Sequence, residues 1–390
     1  MFKSIKYQLK PSLDQKILLN KHFGCVRFVY NHFLNEHKIK YLNKEQVITY
    51  FDTCKVLTQL KHSEGYNWLK EVNSQSLQIT LKYLDSAFIG FFKKRTDFPR
   101  FKSKNDKNSF PVPQDVKIIN NRLYIRKFKS GIPIILHKKF EGQIRQCTVS
   151  KSPNGKYYVA ILFETIHKPI VKTGKVCGID LGIKDFVITS DGKKYINYRY
   201  TKKYTKLLKR NQQRLSKKIK DSNRYKLQKI KVAKIYAKIT NSRIDNLHKV
   251  SHELVKKYDV IFVETLDIKQ LVKNRTLSKA IADVSWGTFI SMLEYKCEWN
   301  EKTLIKVDRF FPSSKTCNNC NYINQDLKLK TRTWKCPSCK KVLDRDLNAS
   351  KNILKEGLKI ISLGTNDYRH GGEIRPSLLG TTDEMSKILN

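Results

Sequence analysis

Cys317 and Cys320 are separated by two residues, as are Cys336 and Cys339, and fifteen residues lie between the pairs. Two such knuckles can bring four thiolates to one tetrahedral centre, the donor set and spacing of a structural Zn2+ site. Four protein ligands leave no open position, so the zinc expected here serves folding rather than catalysis. A second constellation is acidic. Asp180 stands in Gly-Ile-Asp-Leu-Gly at the end of an apolar run, and Glu264 ends the apolar stretch YDVIFVE, where a carboxylate has no packing role. Asp346 opens a helical pattern in DRDLNASKNI, directly after the second cysteine pair. Phosphodiester hydrolysis by two divalent ions needs several carboxylates converging on metals ~3.5–4 Å apart. The three acids are therefore candidate ligands of Mg2+ or Mn2+. An Asp beside Gly also suits a turn, and Asp344 or Asp346 could cap a helix. Residue chemistry alone leaves the choice between those two open.

The elements that must carry these residues can be read from the pattern. From Lys175 onward it runs strand, hairpin around Asp191-Gly192, long helical pair, strand, helix, strand. CGIDLG, IFVE and LIKVD are strands, and Tyr204 to Lys257 is the helical pair. Before this, residues 2–9 alternate as a strand, and Leu19, Phe23, Val26, Tyr30 and Phe33 recur at helical spacing. Further helical stretches span Val47 to Leu60 and Ser76 to Phe92. Short alternating strands then dominate to Thr165, which predicts a small β-barrel or sandwich completed by the N-terminal strand and interrupted by a helical insert. The last segment, 363–390, lacks periodicity and is expected to be a flexible tail.

Charge narrows the partners. The 390 residues hold 78 Lys and Arg against 34 Asp and Glu, a formal net of +44. The excess is spread along the chain, and Lys202 to Lys249 contain only two acids, Asp221 and Asp245. So unbalanced a chain calls for a polyanion, and counterion release from phosphates is the usual source of binding energy. The opening residues lack the apolar core of a signal peptide, and no apolar run approaches the length of a membrane span. Nine cysteines, five of them scattered singly, suit a reducing compartment and a cytoplasmic location.

With these residues in hand, the chain strongly resembles the TnpB family, transposon-encoded RNA-guided nucleases related to compact type V CRISPR effectors. The resemblance rests on RFVYN at Arg27–Asn31, FPRFKSK at Phe98–Lys104 and GIDLGIKDF at Gly178–Phe186. NSRIDNLHK around Arg243, FVETL around Glu264, VSWG around Trp286, DRFFPSSKTC before Cys317 and DRDLNAS around Asp346 complete it. It implies a multidomain α+β fold: a split β-barrel wedge domain (1–10 and 98–172) with a helical recognition insert (11–97), then an RNase H-like RuvC domain (173–309 and 344–362). A zinc-ribbon insert (310–343) would bind the target. The resemblance places the catalytic triad on Asp180, Glu264 and Asp346, and its DxNA pattern favours Asp346 over Asp344. It implies a guide RNA from the transposon end, a double-stranded DNA target beside a short flanking motif, and a monomer when RNA-bound. Arg27, Tyr30, Asn31, Arg100, Lys102, Lys104, Arg210, Arg214, Arg243, Lys249 and Arg332 are candidate nucleic-acid contacts, Arg332 also as a group steadying the scissile phosphate. Tyr204, Tyr225, Trp286 and Trp334 are candidate base-stacking residues. The alternative function is an RNA-guided or sequence-specific DNA-binding regulator with little or no cleavage. A transposase that joins strands itself would need other chemistry, such as a tyrosine nucleophile beside paired histidines.

Overall fold

The computed structural model describes residues 1–43, 45, 49–166, 168–273, 278–328 and 330–363. The tail expected over 363–390 lies outside these from residue 364 on. The chain divides into two compact units, Met1–His167 with Asp221–Lys234, and Lys168–Lys220 with Ile235–Asn390. Residues 221–234, grouped by the sequence reading with the second module, cluster with the first.

In the first unit, strand β1 (Phe2–Leu9) buries Tyr7 and Leu9. Pro11 breaks the ladder and Ser12 caps helix α1 (Leu13–Leu42), its Oγ accepting from Gln15 N while Gln15 Oε1 accepts from Ser12 N. Leu19, Phe23, Val26, Tyr30 and Phe33 line the buried face of α1, as their spacing requires. Helix α2 (Tyr50–His62) starts at the Thr49 cap, and Val47, where helix was expected to begin, lies outside the described residues. Helix α3 (Ser74–Phe92) completes the insert.

Strands β2 (Asn108–Val112), β3 (Lys117–Ile119), β4 (Arg122–Tyr124), β5 (Ile132–Ile135), β6 (Gln143–Lys151) and β7 (Tyr157–Glu164) follow. With β1 they form one seven-stranded sheet in the order β2-β6-β7-β1-β5-β4-β3. The N-terminal strand is internal, antiparallel to both β7 and β5. The sheet is an open half-barrel rather than a closed barrel. The helical insert removes the need for closure: Phe23, Val26, Leu77 and Leu81 share one core with Phe110, Val149 and Val159.

The second unit is built on a five-stranded sheet, β10-β9-β8-β11-β12. Its strands are β8 (Val176–Leu181), β9 (Asp185–Thr189), β10 (Lys194–Ile196), β11 (Val260–Glu264) and β12 (Thr303–Val307). β8, β11 and β12 are parallel, whereas β9 runs antiparallel to both of its neighbours, β8 and β10. Between β10 and β11 run the basic helices α4 (Tyr200–Ser216) and α5 (Asn223–Lys257). Helices α6 (Ile268–Lys273), α7 (Ser278–Val284) and α8 (Trp286–Trp299) connect β11 to β12. A hairpin of β13 (Thr333–Lys335) and β14 (Val342–Asp344) leads straight into helix α9 (Arg345–Ser362).

Strand alternation sorts this sheet onto two covers. Cys177, Ile179, Ile261 and Val263 meet Leu247 and Leu254 of α5 and Phe289 and Leu293 of α8. Val260, Phe262, Ile305 and Val307 meet Ile353 and Leu358 of α9 on the other face. No helix among the described residues is long and apolar enough to cross a membrane.

Candidate active site

The last ladder pair of β8 and β11 is Ile179 with Val263. The next residue on each parallel strand is Asp180 and Glu264, so the two carboxylates stand at matching positions at the strands' carboxyl ends. Because Ile179 and Val263 point to the α5/α8 side, alternation turns Asp180 and Glu264 to the α9 side. Asp346 lies in the first turn of α9.

Two glycines let α9 lie this close. A Cβ on Gly178 of β8 would sit 2.3 Å from the Ser350 carbonyl oxygen and 2.5 Å from Leu354 N, both backbone atoms of α9. On α9 itself, a Cβ on Gly357 would sit 1.9 Å from Cδ1 of Phe262 on β11. Strand and helix are thus seated backbone to backbone at Gly178 and ring against backbone at Gly357, which fixes the start of α9 over the strand ends.

The electrostatics record the convergence. Burial holds the Asp180 carboxyl well above the usual range, the charges of Glu264 and Asp346 push it further, and Arg345 opposes them. Burial also raises Glu264. Asp344 behaves oppositely. Burial would raise it, but backbone donors and Lys194 hold it low: its Oδ1 caps α9 by accepting from Asp346 N and Leu347 N, and its Oδ2 takes Lys194 Nζ at 2.9 Å. Asp344 is therefore occupied as a helix cap, and Asp346 is the acid electrostatically coupled to Asp180.

The four cysteine sulfurs lie within 4.8 Å of one another. Cys317 Sγ to Cys339 Sγ and Cys320 Sγ to Cys336 Sγ are each 3.6 Å. Tetrahedral sulfurs ~2.3 Å from zinc would be about 3.8 Å apart, so the donor set fits that ion, and these gaps are far beyond a disulfide bond. A backbone bond at Tyr322 lowers the Cys320 thiol to about 6, and one at Lys341 lowers Cys339, whereas burial raises Cys317 to about 11. Trp334, Leu327 and Leu343 make a small core around the cluster.

Sequence reasoning missed what ties this module to α9. Asn348 Nδ2 and Asn352 Nδ2 donate to the Thr316 carbonyl at 2.7 and 2.6 Å, and Asn348 Oδ1 accepts from Asn318 N. Their four-residue spacing inside DLNASKN, on one helix face, was the available signal. Arg332 lies at the other junction. Arg345 N donates to the Arg332 carbonyl at 2.8 Å, and the Arg332 guanidinium reaches Asp346.

The remaining expected contacts divide. Tyr30 is buried under Lys102, whose Nζ sits 3.5 Å from the ring centroid, and Asn31 bonds the backbone of Lys102 in both directions. Arg243 is pinned between Thr201 Oγ1 and Asp283 Oδ1, and Arg27 reaches Asn108. These five side chains, Lys102 included, make contacts within the fold. Lys104, Arg210 and Arg214 are exposed, as are Arg100 beside Asp97 and Lys249 beside Asp245. Of the four aromatics for which base stacking competed with core packing, Trp286 and Trp334 are buried and Tyr204 and Tyr225 half-buried.

Comparison with known proteins adds the lineage. A model described as "Probable transposase" (IS605 OrfB) matches residues 149–275, and one described as "Cas12f1-like, TNB domain" matches 286–353. A "Helix-turn-helix domain" model matches 1–46, where the described residues form β1 and the single long helix α1. A Streptomyces pristinaespiralis protein named "Putative RNA-guided DNA endonuclease" is 36% identical over 366 residues, covering 93% of this chain and 91% of that protein. The chain belongs to the TnpB (IS605 OrfB) family. Another TnpB-family relative, the Escherichia coli K12 protein named "Putative RNA-guided DNA endonuclease InsQ", is 29% identical, covering 93% of this chain and 94% of its own length. A cryo-EM structure of a Cas12f1–sgRNA–target DNA complex aligns with a TM-score of 0.54 at 14% identity, over 90% of this chain and 98% of that one. That likeness is one of fold: the TnpB chain has a Cas12f-like multidomain α/β architecture.

Proposed function

We propose that the chain is an RNA-guided DNA endonuclease that hydrolyses phosphodiester bonds at Asp180, Glu264 and Asp346. The observation that supports this reading is the arrangement of Asp180 and Glu264 at the carboxyl ends of the parallel strands β8 and β11 with Asp346 in the first turn of α9, where burial and then the charges of Glu264 and Asp346 raise Asp180. Carboxylates crowded this way cost stability unless cations join them, and their hard oxygen donors suit Mg2+ or Mn2+. When bound, such ions supply an activated water and stabilise the leaving oxygen. The chain's own part is to hold the three carboxylates on rigid elements and to keep Asp344 out of the site by committing it to Lys194 and the α9 cap. Arg332, whose guanidinium reaches Asp346, suits an incoming phosphate.

In this reading the second unit is an RNase H-like RuvC domain, and the four cysteines hold a structural Zn2+ in a ribbon that touches the target. Residues 1–10 and 98–172 would be the wedge domain and 11–97 the recognition insert. The net charge of +44 supports a guide RNA and a DNA duplex as partners. The relatives' printed names and the Cas12f-like fold point the same way.

The test begins by purifying the protein with its native downstream DNA at ~0.5 M salt, which strips weak electrostatic binding, and sequencing retained RNA. A discrete RNA ending in a variable segment should direct Mg2+-dependent cutting of a matching duplex. Asp180→Ala and Asp346→Asn should abolish cutting while retaining RNA, and Asp344→Asn should still cut. Full cutting by Asp180→Ala, or none by the native chain with a discrete RNA, would refute the assignment.

A further inference from the structure

Immediately beyond β12 the chain places two phenylalanines in opposite environments. Phe311 packs against the core under α9, whereas Phe310 is 77% exposed. Exposing a phenylalanine forfeits its burial energy, and here the loop enforces it. Phe310 N donates to Asp308 Oδ1 at 2.7 Å, an Asx-type turn that sets the outward direction, and Pro312 stiffens the exit. The Arg309 guanidinium lies 4.4 Å from the Phe310 ring centroid. Arg309 also pairs with Asp267 at 3.6 Å, tying the segment after β12 to the segment after β11.

The location gives this pair its meaning. Val307, the last residue of β12, pairs with Glu264, so Phe310 stands three residues past the neighbour of a candidate catalytic acid. Asp267 is three residues past Glu264 itself. Three residues span at most about 10 Å, so the ring belongs to the rim onto which the acids open.

We propose that Phe310, backed by Arg309, is a stacking platform for one unpaired base of the DNA strand held at the Asp180–Glu264–Asp346 site, which sets the register of the phosphate being cut. This deepens the nuclease reading and rests on it. A strand entering such a site must be single, and an aromatic face binds an unstacked base whatever its identity. With Arg309 over one ring face, the other is free to receive the base, and the guanidinium lies beside the neighbouring phosphate. Trp286 and Trp334 cannot do this, being buried.

The experiment uses RNA-loaded full-length protein carrying Asp180→Asn, with target duplexes bearing 2-aminopurine at successive positions along both strands of the target. One position should be quenched on binding. Phe310→Ala should remove that quench and, in the cutting enzyme, spread the cut over neighbouring phosphates and raise KM about ten-fold. Phe310→Trp should restore both, and the Tm of each variant separates this from misfolding. An unchanged quench and unchanged cut positions in Phe310→Ala would overturn the platform. A native chain that never cuts, but whose Phe310-dependent quench persists, would sink the nuclease reading and leave the platform standing.

Discussion

Arg332 Nη1 lies 3.4 Å from each carboxylate oxygen of Asp346. The ladder Thr333 with Asp344 and the Arg345 N to Arg332 carbonyl bond set this reach, so the cysteine-rich hairpin aims a cation at the last acid of the site. A guanidinium there competes with divalent ions for the same charge. Arg332 is 54% exposed, so the pair contributes at most about 1 kcal/mol. Arg332→Ala should therefore lower the half-saturating Mg2+ concentration for cleavage about two- to five-fold. A Mg2+ titration matching the native chain would show that the two cations do not compete.

Asp180 and Glu264 both titrate above their usual ranges. A carboxyl raised on folding keeps its proton longer in the folded chain than in the unfolded one. Metal-free stability then falls as pH rises from about 4 through the raised values, and levels beyond them. Asp180→Asn should raise the metal-free Tm by about 2–4 °C at pH 8, with little change near pH 4. Mg2+ should stabilise the native chain at pH 8 and the variant far less. Calorimetry at both pH values checks this, and a lower Tm for the variant at pH 8 would contradict the charge crowding.

The seats of α9 give a stability prediction. Gly178→Ala drives a methyl into backbone atoms that cannot swing away, at a cost of about 3 kcal/mol or more, and should displace Asp346 enough to stop cutting. Gly357→Ala meets the Phe262 ring first, so adding Phe262→Leu should recover part of its loss. Denaturant midpoints for the single and double variants decide. Equal losses at both glycines without recovery would mean that α9 is seated differently.

Zinc content is directly measurable. One Zn2+ per chain should purify with the protein, and Cys317→Ser with Cys336→Ser should abolish it. Loss of the metal should expose Lys328 and Arg332 to trypsin and abolish cutting while the first unit keeps its resistance. Stoichiometric zinc in the double variant would remove the cysteines as its ligands.

Much of the fold was legible because two periodicities carry it. The alternation of residues 2–9, the helical spacing from Leu19 to Phe33 and the apolar runs ending in Asp180 and Glu264 each report a local burial pattern that the structure keeps. The openness of the first sheet was not legible, since it depends on a distant helix covering the same face. Nor were the fates of Tyr30 and Asn31, whose partner Lys102 lies seventy-one residues on from Asn31. Arg and aromatic residues look alike in sequence whether they face solvent or a partner. Arg243 held by Asp283, buried Trp286 and exposed Phe310 are separated only by tertiary context. The sequence likewise could not show that Lys194, from a hairpin far upstream, binds Asp344.

The order in which the acids leave the ribosome follows from where α9 lies. β8 and β11 bring two carboxylates early, but the third arrives only after the cysteine module has been made, on the helix that also covers Phe262 and Val307. A nascent chain, or a gene copy broken between codons 264 and 346, therefore carries the long basic helices α4 and α5 and only two of the three acids. On the proposed nuclease reading, such truncated copies would grip nucleic acid without severing it.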